Sequence, residues 1–288
     1  MLLVIDVGNT NTVLGVFARV AKVHGNEAQS EPARYERLVS HWRVSTVLNH
    51  PVDEYGVLFR SLFSMDNLEA SGIRGIVVSS VVPPLDSILR QMCERYFHLK
   101  PLFIEPGVKT GMPVLVDNPA EVGADRIVNG VAAFERYGGP CIVVDFGTAT
   151  TFDVISERGE YLGGVIAPGV GISAEALFQR TARLPKVDIR RPARVIGTNT
   201  VTHIQSGLFY GYIGLTDGLI ERIIEELGGG KPKIVSTGGL ATLIASGSRY
   251  IGIVDEMLTL DGMRIIYERN TGARQTKKAQ GAGEKRAM

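Results

Sequence analysis

The sequence predicts an α/β protein made of two related domains, and three observations lead to this prediction. Short apolar runs alternate with amphipathic stretches, the pattern of sheets covered by helices. Glycine accounts for 34 of 288 residues, well above the usual ~7%, so many positions require tight turns or close backbone approach. A run of mostly apolar residues ending in Asp-x-Gly occurs twice, at residues 2–8 and 141–147.

Composition excludes several classes of protein. Hydrophobic residues make up 44% and charged residues 21%, which is typical of a globular chain. The net charge of +1 gives no electrostatic footprint for nucleic acid or an anionic membrane, so neither is expected as a partner. Cys93 and Cys141 form no Cys-x-x-Cys pair, which excludes a zinc ribbon and fits a reducing cytosol. With no signal peptide and no apolar run near 20 residues, we expect a cytoplasmic protein.

Hydrophobic periodicity predicts the elements of the first domain in order. An apolar run that forms a buried strand is followed by a hairpin partner, a third alternating strand, an amphipathic helix and a further buried strand. These elements cover residues 2–5, 12–17, 41–46, 52–63 and 76–78. The polar stretch at 22–34 is predicted to be an exposed turn, and the Pro83-Pro84 pair an extended turn before a second helix.

The second domain is predicted from the repeat. Its first strand at 141–144 is followed by strands at 150–155 and 161–166, a long helix at 200–227 and a strand at 234–237 that enters Gly238-Gly239 and a helix. We therefore predict an N-terminal domain over 1–117, a C-terminal domain over 118–270 and a disordered tail over 271–288, where apolar residues are rare.

The long predicted helix carries a stripe of four glycines, at positions 207, 211, 214 and 218. Their 4-3-4 spacing places them on one face of the helix. Each glycine costs about 1 kcal/mol relative to alanine in a helix interior, so the stripe needs a compensating contact. Tight packing within the fold and close approach of another backbone or a flat ligand both satisfy this requirement.

The repeated Asp-x-Gly loops are candidate phosphate sites. Each places a carboxylate, Asp6 or Asp145, at the end of a strand, and the glycine lets successive N–H groups converge on an anion. Hydroxyl and amide side chains follow in both copies: Asn9, Thr10 and Asn11, and Thr148, Thr150 and Thr151. A single copy is better explained as a β-turn, but two copies on matching strands favour a pair of loops that hold a nucleotide.

Asp125 and Arg126 form the other candidate constellation. They lie in the opening turns of a predicted helix directly before the second Asp-x-Gly strand. A carboxylate there suits a base that orients a hydroxyl, and the arginine suits a substrate carboxylate or phosphate. Helix capping by Asp125 and a surface role for Arg126 explain the same pattern.

Two glycine patterns resemble nucleotide motifs but lack their context. Gly228-Gly229-Gly230-Lys231 is followed by Pro232 where a P-loop requires Ser or Thr. The segment 169–174 matches G-x-G-x-x-A, yet the strand before it closes a hairpin instead of opening a βαβ unit. The five histidines show no metal-ligand spacing.

Taken together, the motifs closely resemble those of the type III pantothenate kinases. The sequences DVGNTN, GADR, DFGTAT, GGVIAPG and STGGLA occur in the family's order, at 6–11, 123–126, 145–150, 163–169 and 236–241. The resemblance covers residues 1 to about 268. It implies two ribonuclease-H-like domains around an ATP cleft, as in the actin, Hsp70 and sugar-kinase superfamily. It also implies a homodimer with pantothenate at the subunit interface, and 4′-phosphopantothenate, the first intermediate of coenzyme A synthesis, as product.

The resemblance also implies roles for individual residues. ATP would contact Asp6, Val7, Gly8, Asn9, Thr10, Asn11, Thr12, Val13 and Thr148. Pantothenate would contact Gly123, Ala124, Asp125, Arg126 and Thr200, with Asp125 as proton acceptor. Asp145 corresponds to the ligand of a monovalent cation, K⁺ or NH₄⁺, and Asp6 is expected near Mg²⁺.

One departure from the family concerns the substrate pocket. Family members often have a tyrosine before Asp-Asn-Pro as a substrate contact, whereas this chain has Val116. Two alternatives to a pantothenate kinase stay open at this point: a non-catalytic accessory factor for transcription related to the family, and another small-molecule kinase of the superfamily.

Overall fold

The computed structural model describes residues 1–20 and 34–284. These residues form two compact units. The first comprises Met1–Gly111, Ala120–Val131 and the chain from Thr259 onward, and the second comprises Met112–Pro119 and Ala132–Leu258. The predicted α/β class is confirmed, since each unit contains a five-stranded mixed sheet flanked by helices.

In the first unit, three antiparallel strands are followed by helix–strand crossovers. The elements are β1 (Leu2–Val7), β2 (Asn11–Val20), β3 (Arg34–Ser45), α1 (Val52–Met65), β4 (Gly75–Ser80), α2 (Pro83–Phe97) and β5 (Leu102–Phe103). The strand order is β3-β2-β1-β4-β5, with β4 parallel to β1. Leu3, Ile5 and Val7 point to one face of the sheet, where they pack with aromatic residues of α1 such as Phe59 and Phe63.

The second unit repeats this arrangement. Helix α3 (Ala124–Tyr137) leads from the first unit into β6 (Cys141–Phe146), β7 (Ala149–Ile155) and β8 (Tyr161–Pro168). There follow α4 (Val170–Gln179), α5 (Thr200–Glu226), β9 (Lys233–Thr237), α6 (Ala241–Ala245) and β10 (Ile253–Val254). The strand order β8-β7-β6-β9-β10 matches that of the first sheet strand for strand. The repeat read from the Asp-x-Gly motif therefore extends over both whole sheets.

The last helix, α7 (Leu258–Glu284), differs from the sequence-based prediction in two ways. Nearly all of it groups with the first unit instead of the second, because its side chains pack on the first sheet: Glu268 accepts the backbone N–H of Tyr35 at 2.6 Å. Its helical backbone also continues through most of the segment predicted to be a disordered tail. Alanine, lysine, arginine and glutamine are good helix formers even where apolar residues are rare. Residues 285–288 and most of the predicted polar turn at 22–34 lie outside the described residues.

Candidate active site

The first Asp-x-Gly loop joins β1 to β2. Asp6 is half-buried at the end of β1, while Asn9 and Thr10 are exposed at the tip of the loop. The Gly8 N–H donates to the carbonyl oxygen of Asn11 at 3.0 Å, which closes the turn. The backbone of Val7 and the side chain of Thr12 are buried beneath it.

Thr46, directly after β3, fastens this loop to the sheet. Its backbone N–H donates to the carbonyl oxygen of Thr10 at 3.0 Å, and its hydroxyl donates to that of Gly8 at 2.7 Å. The same hydroxyl lies 3.0 Å from the Thr12 hydroxyl. One threonine thus contacts three residues of the loop that was predicted to bind phosphate.

The second loop joins β6 to β7 and has the same form. Asp145 is half-buried at the end of β6, and Thr148 is exposed. The Gly147 N–H donates to the carbonyl oxygen of Ala149 at 3.0 Å. Thr150, fully buried, occupies the place that Thr12 has in the first hairpin, since Val7 pairs with Thr12 and Phe146 pairs with Thr150.

Gly238 crosses directly in front of Asp145. Its φ of +94° is a conformation that side chains disfavour, and a Cβ there would lie 2.6 Å from Asp145 Oδ1 and 2.7 Å from the carbonyl oxygen of Phe146. Two oxygen atoms, one of them from a carboxylate, therefore converge beside a backbone that has no side chain. Oxygen donors of this kind suit K⁺, and the contact explains why position 238, after β9, is a glycine.

Helix α3 carries the predicted substrate residues in its first turn. The Arg126 N–H donates to Asp125 Oδ1 at 2.8 Å, and this oxygen is also close to Gly123, where a Cβ would approach it to 2.5 Å. Burial raises the pKa of the Asp125 carboxyl above its ordinary value, although the N–H and the charge of Arg126 act in the opposite direction. A carboxylate with a raised pKa is a better proton acceptor than an exposed aspartate.

Helix α7 holds α3 in place one turn further on. The Thr259 hydroxyl donates to Asn129 Oδ1 at 2.7 Å, and Asn129 is buried. A side chain at Gly262 would overlap the carbonyl oxygen of Val128, so the two helices touch through their backbones. The segment that carries Asp125 and Arg126 is therefore anchored to the first unit.

The other two predicted substrate residues lie in the second unit. Thr200 is the first residue of α5 and is exposed; Asn199 caps this helix by accepting the Thr202 N–H at 3.0 Å. Val116 is half-buried, with Cγ1 3.7 Å from the position of a Cβ on Gly163. Gly123–Arg126, by contrast, belong to the first unit.

Three further observations concern a metal cluster, a membrane helix and the G-x-G-x-x-A segment. Within residues 1–20 and 34–284, no three His, Cys, Asp or Glu side chains are grouped so as to hold a metal ion. No helix in the part of the chain that is described is long and apolar enough to cross a membrane. The G-x-G-x-x-A segment opens α4 after β8, which pairs antiparallel with β7, so it is not a dinucleotide fingerprint.

The sequence did not predict that Thr46 contacts the first loop or that Tyr212 contacts the turn beside the second. Tyr212 of α5 reaches the turn after β8, where its hydroxyl lies 3.1 Å from the carbonyl oxygens of both Pro168 and Gly169. Thr46 could have been found as the last residue of the predicted third strand, 41–46. Tyr212 gives no such signal, because only the packing of α5 brings it to this turn.

Comparison with known proteins identifies related sequences over most of the chain. A family model described as type III pantothenate kinase matches residues 2–222. The type III pantothenate kinase of Koribacter versatilis is 68% identical over 94% of this chain and 96% of its own length. That of Acidobacterium capsulatum is 55% identical over 96% of this chain and 97% of its own.

Two solved structures agree with the fold at low sequence identity. A conserved putative Baf family transcriptional activator from Campylobacter jejuni has a TM-score of 0.54 and 20% identity, over 94% of this chain and 99% of that one. A putative 2-dehydro-3-deoxygalactonokinase from Sinorhizobium meliloti also has a TM-score of 0.54, with 11% identity over 93% and 96% of the two chains. At these identities the likeness shows the fold alone. The family model and the two relatives, which match most of the chain at high identity, show that it belongs to the type III pantothenate kinase family.

Proposed function

We propose that this protein transfers the γ-phosphoryl group of ATP to the 4′-hydroxyl of pantothenate, with Asp125 as the proton acceptor. Family membership supports this reaction, which is the first step of coenzyme A synthesis. Its product is 4′-phosphopantothenate. The position of Asp125, half-buried in the first turn of α3 and beside Arg126, is the observation that carries the assignment of the base.

The chemical step requires positioning more than a strong base. Phosphoryl transfer passes through a loose transition state in which charge spreads over the phosphoryl oxygens. As the pantothenate oxygen bonds to the γ-phosphorus and ADP leaves, the hydroxyl proton passes to the Asp125 carboxylate. Arg126 is assigned to the pantothenate carboxylate, the geometry for which a guanidinium is suited. Gly123, Ala124, Thr200 and Val116 complete the proposed substrate contacts.

ATP contacts are assigned to both hairpins, residues 6–13 and Thr148. The exposed tips of the loops, with converging N–H groups and hydroxyl side chains, support this assignment. Asp6, a half-buried carboxylate at the end of β1, would hold Mg²⁺. Proteins commonly hold this metal with one or two carboxylates plus substrate phosphates and water, so a single aspartate beside the ATP phosphates suits it. Bound there, Mg²⁺ would offset phosphate charge.

Asp145 is the proposed ligand of a monovalent cation, K⁺ or NH₄⁺. The converging Asp145 Oδ1 and Phe146 carbonyl oxygen beside Gly238 support it. When bound, such an ion adds positive charge next to the second phosphate loop. The fold holds these two oxygens close together, and Gly238 leaves the space beside them free of a side chain.

We further propose a homodimer formed through α4, α5 and the segment that joins them. No described atom lies within 4 Å of where a Cβ would stand on Gly207, Gly211 or Gly214, so this stripe faces open space. Large apolar side chains are exposed nearby in sequence: Ile166, Ile172, Leu177, Phe178, Val195, Ile196 and Val201. Light scattering should give twice 31.2 kDa for the active enzyme, and a monomer alone would contradict this assembly.

A cytoplasmic location is proposed as well. ATP is a substrate available there, and both cysteines are free thiols whose pKa burial raises to about 12. Such thiols stay protonated and unreactive.

A substrate panel tests the proposed function. The purified protein is incubated with ATP, Mg²⁺ and K⁺ and with pantothenate or a hexose, while ADP release is followed and products are identified by mass spectrometry. We expect phosphate on pantothenate alone. Phosphorylation of a hexose would favour a sugar kinase, and a failure to release ADP with either substrate would favour a non-catalytic accessory role.

A further inference from the structure

The hydroxyl of Tyr212 contacts three residues at the turn between β8 and α4 and in the first turn of α4. Tyr212 is 9% exposed, and its oxygen lies 3.1 Å from the carbonyl oxygens of Pro168 and Gly169 and 2.5 Å from Ser173 Oγ. Carbonyl oxygens only accept hydrogen bonds, so Tyr212 donates its proton to them and Ser173 donates to Tyr212. The turn between β8 and α4 is thereby fastened to α5.

This turn lies directly against the second Asp-x-Gly loop. The Gly169 N–H donates to the carbonyl oxygen of Thr148 at 3.1 Å. A Cβ on Gly169 would overlap that oxygen and would lie 2.6 Å from the carbonyl oxygen of Gly147. Because the two backbones are in contact, a displacement of Gly169 must displace Thr148 as well.

In the first hairpin, the residue whose backbone contacts the loop also holds the loop with its own side chain. Thr46 stands where Gly169 stands: each is two residues beyond the third-strand partner of the buried threonine, Val44 for Thr12 and Ala167 for Thr150. Thr46 holds its loop with its own hydroxyl. Gly169 has no side chain and no room for one, so a residue of another element is needed to fix the turn.

We propose that Tyr212 is a positioning residue for ATP, which holds Gly169 and through it the Thr148 loop. The inference rests on the ATP contact assigned to Thr148 above. Tyr212 contacts neither the loop tip nor the reacting atoms. It determines the position of the loop through Gly169. Loosening it should therefore weaken nucleotide binding while leaving the pantothenate contacts on α3 unchanged.

Tyr212→Phe is the direct test, since it removes the hydroxyl and keeps the ring. Loss of one such anchoring contact should raise the KM for ATP by about three- to tenfold. The KM for pantothenate and kcat at saturating ATP should stay near the wild-type values. Calorimetric titration with a non-hydrolysable ATP analogue should show the same loss, and the melting temperature checks the fold. Tyr210→Phe is the matched control, because among the described contacts its hydroxyl bonds to neither Pro168 nor Gly169.

Gly169→Ala provides a second variant with the same expected direction. The backbone angles of Gly169, φ −72° and ψ 158°, are ones that alanine adopts freely, so only the overlap with the Thr148 loop is being tested. The analogue should bind more weakly to this variant than to Tyr212→Phe.

A Thr148→Ala variant distinguishes failure of the ATP assignment from failure of the positioning role of Tyr212. If Thr148→Ala binds the analogue as well as the wild type, the assignment of the loop to ATP is wrong. If Thr148→Ala weakens binding but Tyr212→Phe and Gly169→Ala do not, Tyr212 does not position the loop. An equal fall in kcat, in both affinities and in melting temperature for Tyr212→Phe would assign it to core stability and overturn the inference.

Discussion

The β1–β2 and β6–β7 hairpins occupy the same place in two sheets of identical strand order, yet their loops are held differently. In both, the N–H of the residue after the third strand donates to the threonine at the loop tip: Thr46 to Thr10 at 3.0 Å and Gly169 to Thr148 at 3.1 Å. The first hairpin adds a threonine hydroxyl at this point. In the second hairpin this residue is Gly169, which has no side chain, and its carbonyl oxygen accepts a hydrogen bond from the Tyr212 hydroxyl.

The glycine has a second consequence, at Thr150. Thr12 finds a partner in the Thr46 hydroxyl, whereas no described group hydrogen-bonds to Thr150 Oγ1, although the residue is fully buried. The missing partner is the side chain that Gly169 lacks. Repeated domains thus keep the backbone contact that shapes a loop, while the side chains around it diverge.

The largest effect is expected from a change outside both hairpins. Asp125→Asn keeps the shape of the side chain but removes the proton acceptor, which should lower turnover by about 10²–10⁴-fold. Binding of an ATP analogue should survive, because the proposed nucleotide contacts are in the two loops. Turnover at saturating pantothenate and calorimetric titration on one preparation check both parts. Near-normal turnover would reduce Asp125 to a helix cap, and joint loss of both would make it structural.

Gly238→Ala sharpens the comparison by acting on the second hairpin only. A Cβ would enter the space beside Asp145 Oδ1 and the Phe146 carbonyl oxygen, at an unfavourable positive φ. We expect the stimulation of turnover by K⁺ over Na⁺ to be lost, a fall on the order of tenfold for about 1.4 kcal/mol of lost stabilisation.

The matched control is Gly107→Ala, whose φ of +97° is also positive but where no described atom lies within 4 Å of the new Cβ. Rates are compared in K⁺ and in Na⁺ buffers. Equal wild-type rates in the two buffers would show that the enzyme does not depend on K⁺. Full K⁺ stimulation in Gly238→Ala would show that the cation does not bind beside Gly238.

A pair of threonine-to-valine variants tests the difference at the buried hydroxyls. Thr12→Val deletes the hydrogen bond to Thr46 and should lower the free energy of unfolding by about 1 kcal/mol. Thr150→Val deletes a buried hydroxyl that has no partner among the described residues, and should leave stability unchanged or raise it. Urea unfolding of both variants gives the comparison. Equal destabilisation would mean that the two hydroxyls are in equivalent surroundings.

The smallest expected effect concerns pH. Because burial raises the pKa of Asp125, the acid limb of kcat/KM for pantothenate should lie at higher pH than for an ordinary aspartate, with activity lost as pH falls through it. The same shift makes this group favour the folded state more strongly as pH falls, since the folded form binds the proton more tightly. A pH–rate profile checks the first statement; an identical acid limb in the residual activity of Asp125→Asn would contradict it.

The sequence predicted much of this arrangement, and its failures have physical causes. The Asp-x-Gly motifs and the alternation of apolar residues predicted both hairpins and most strands, because local spacing determines which residues face the core. The sequence did not predict that α7 belongs to the first unit, since the pattern of a helix does not reveal which of two similar sheets it covers. Tyr212 was missed because a tyrosine on a long helix shows no local sign of the turn that it fastens.

Nucleotide affinity tests most directly the proposal that both hairpins bind the phosphates of ATP. A non-hydrolysable ATP analogue is titrated by calorimetry into the wild type, Thr10→Ala and Thr148→Ala, with Thr181→Ala, an exposed threonine far from both loops in sequence, as the control. We expect Thr10→Ala and Thr148→Ala each to bind the analogue about three- to tenfold more weakly, for the loss of one hydrogen bond, and the control to bind as tightly as the wild type. Wild-type affinity in either loop variant would contradict it.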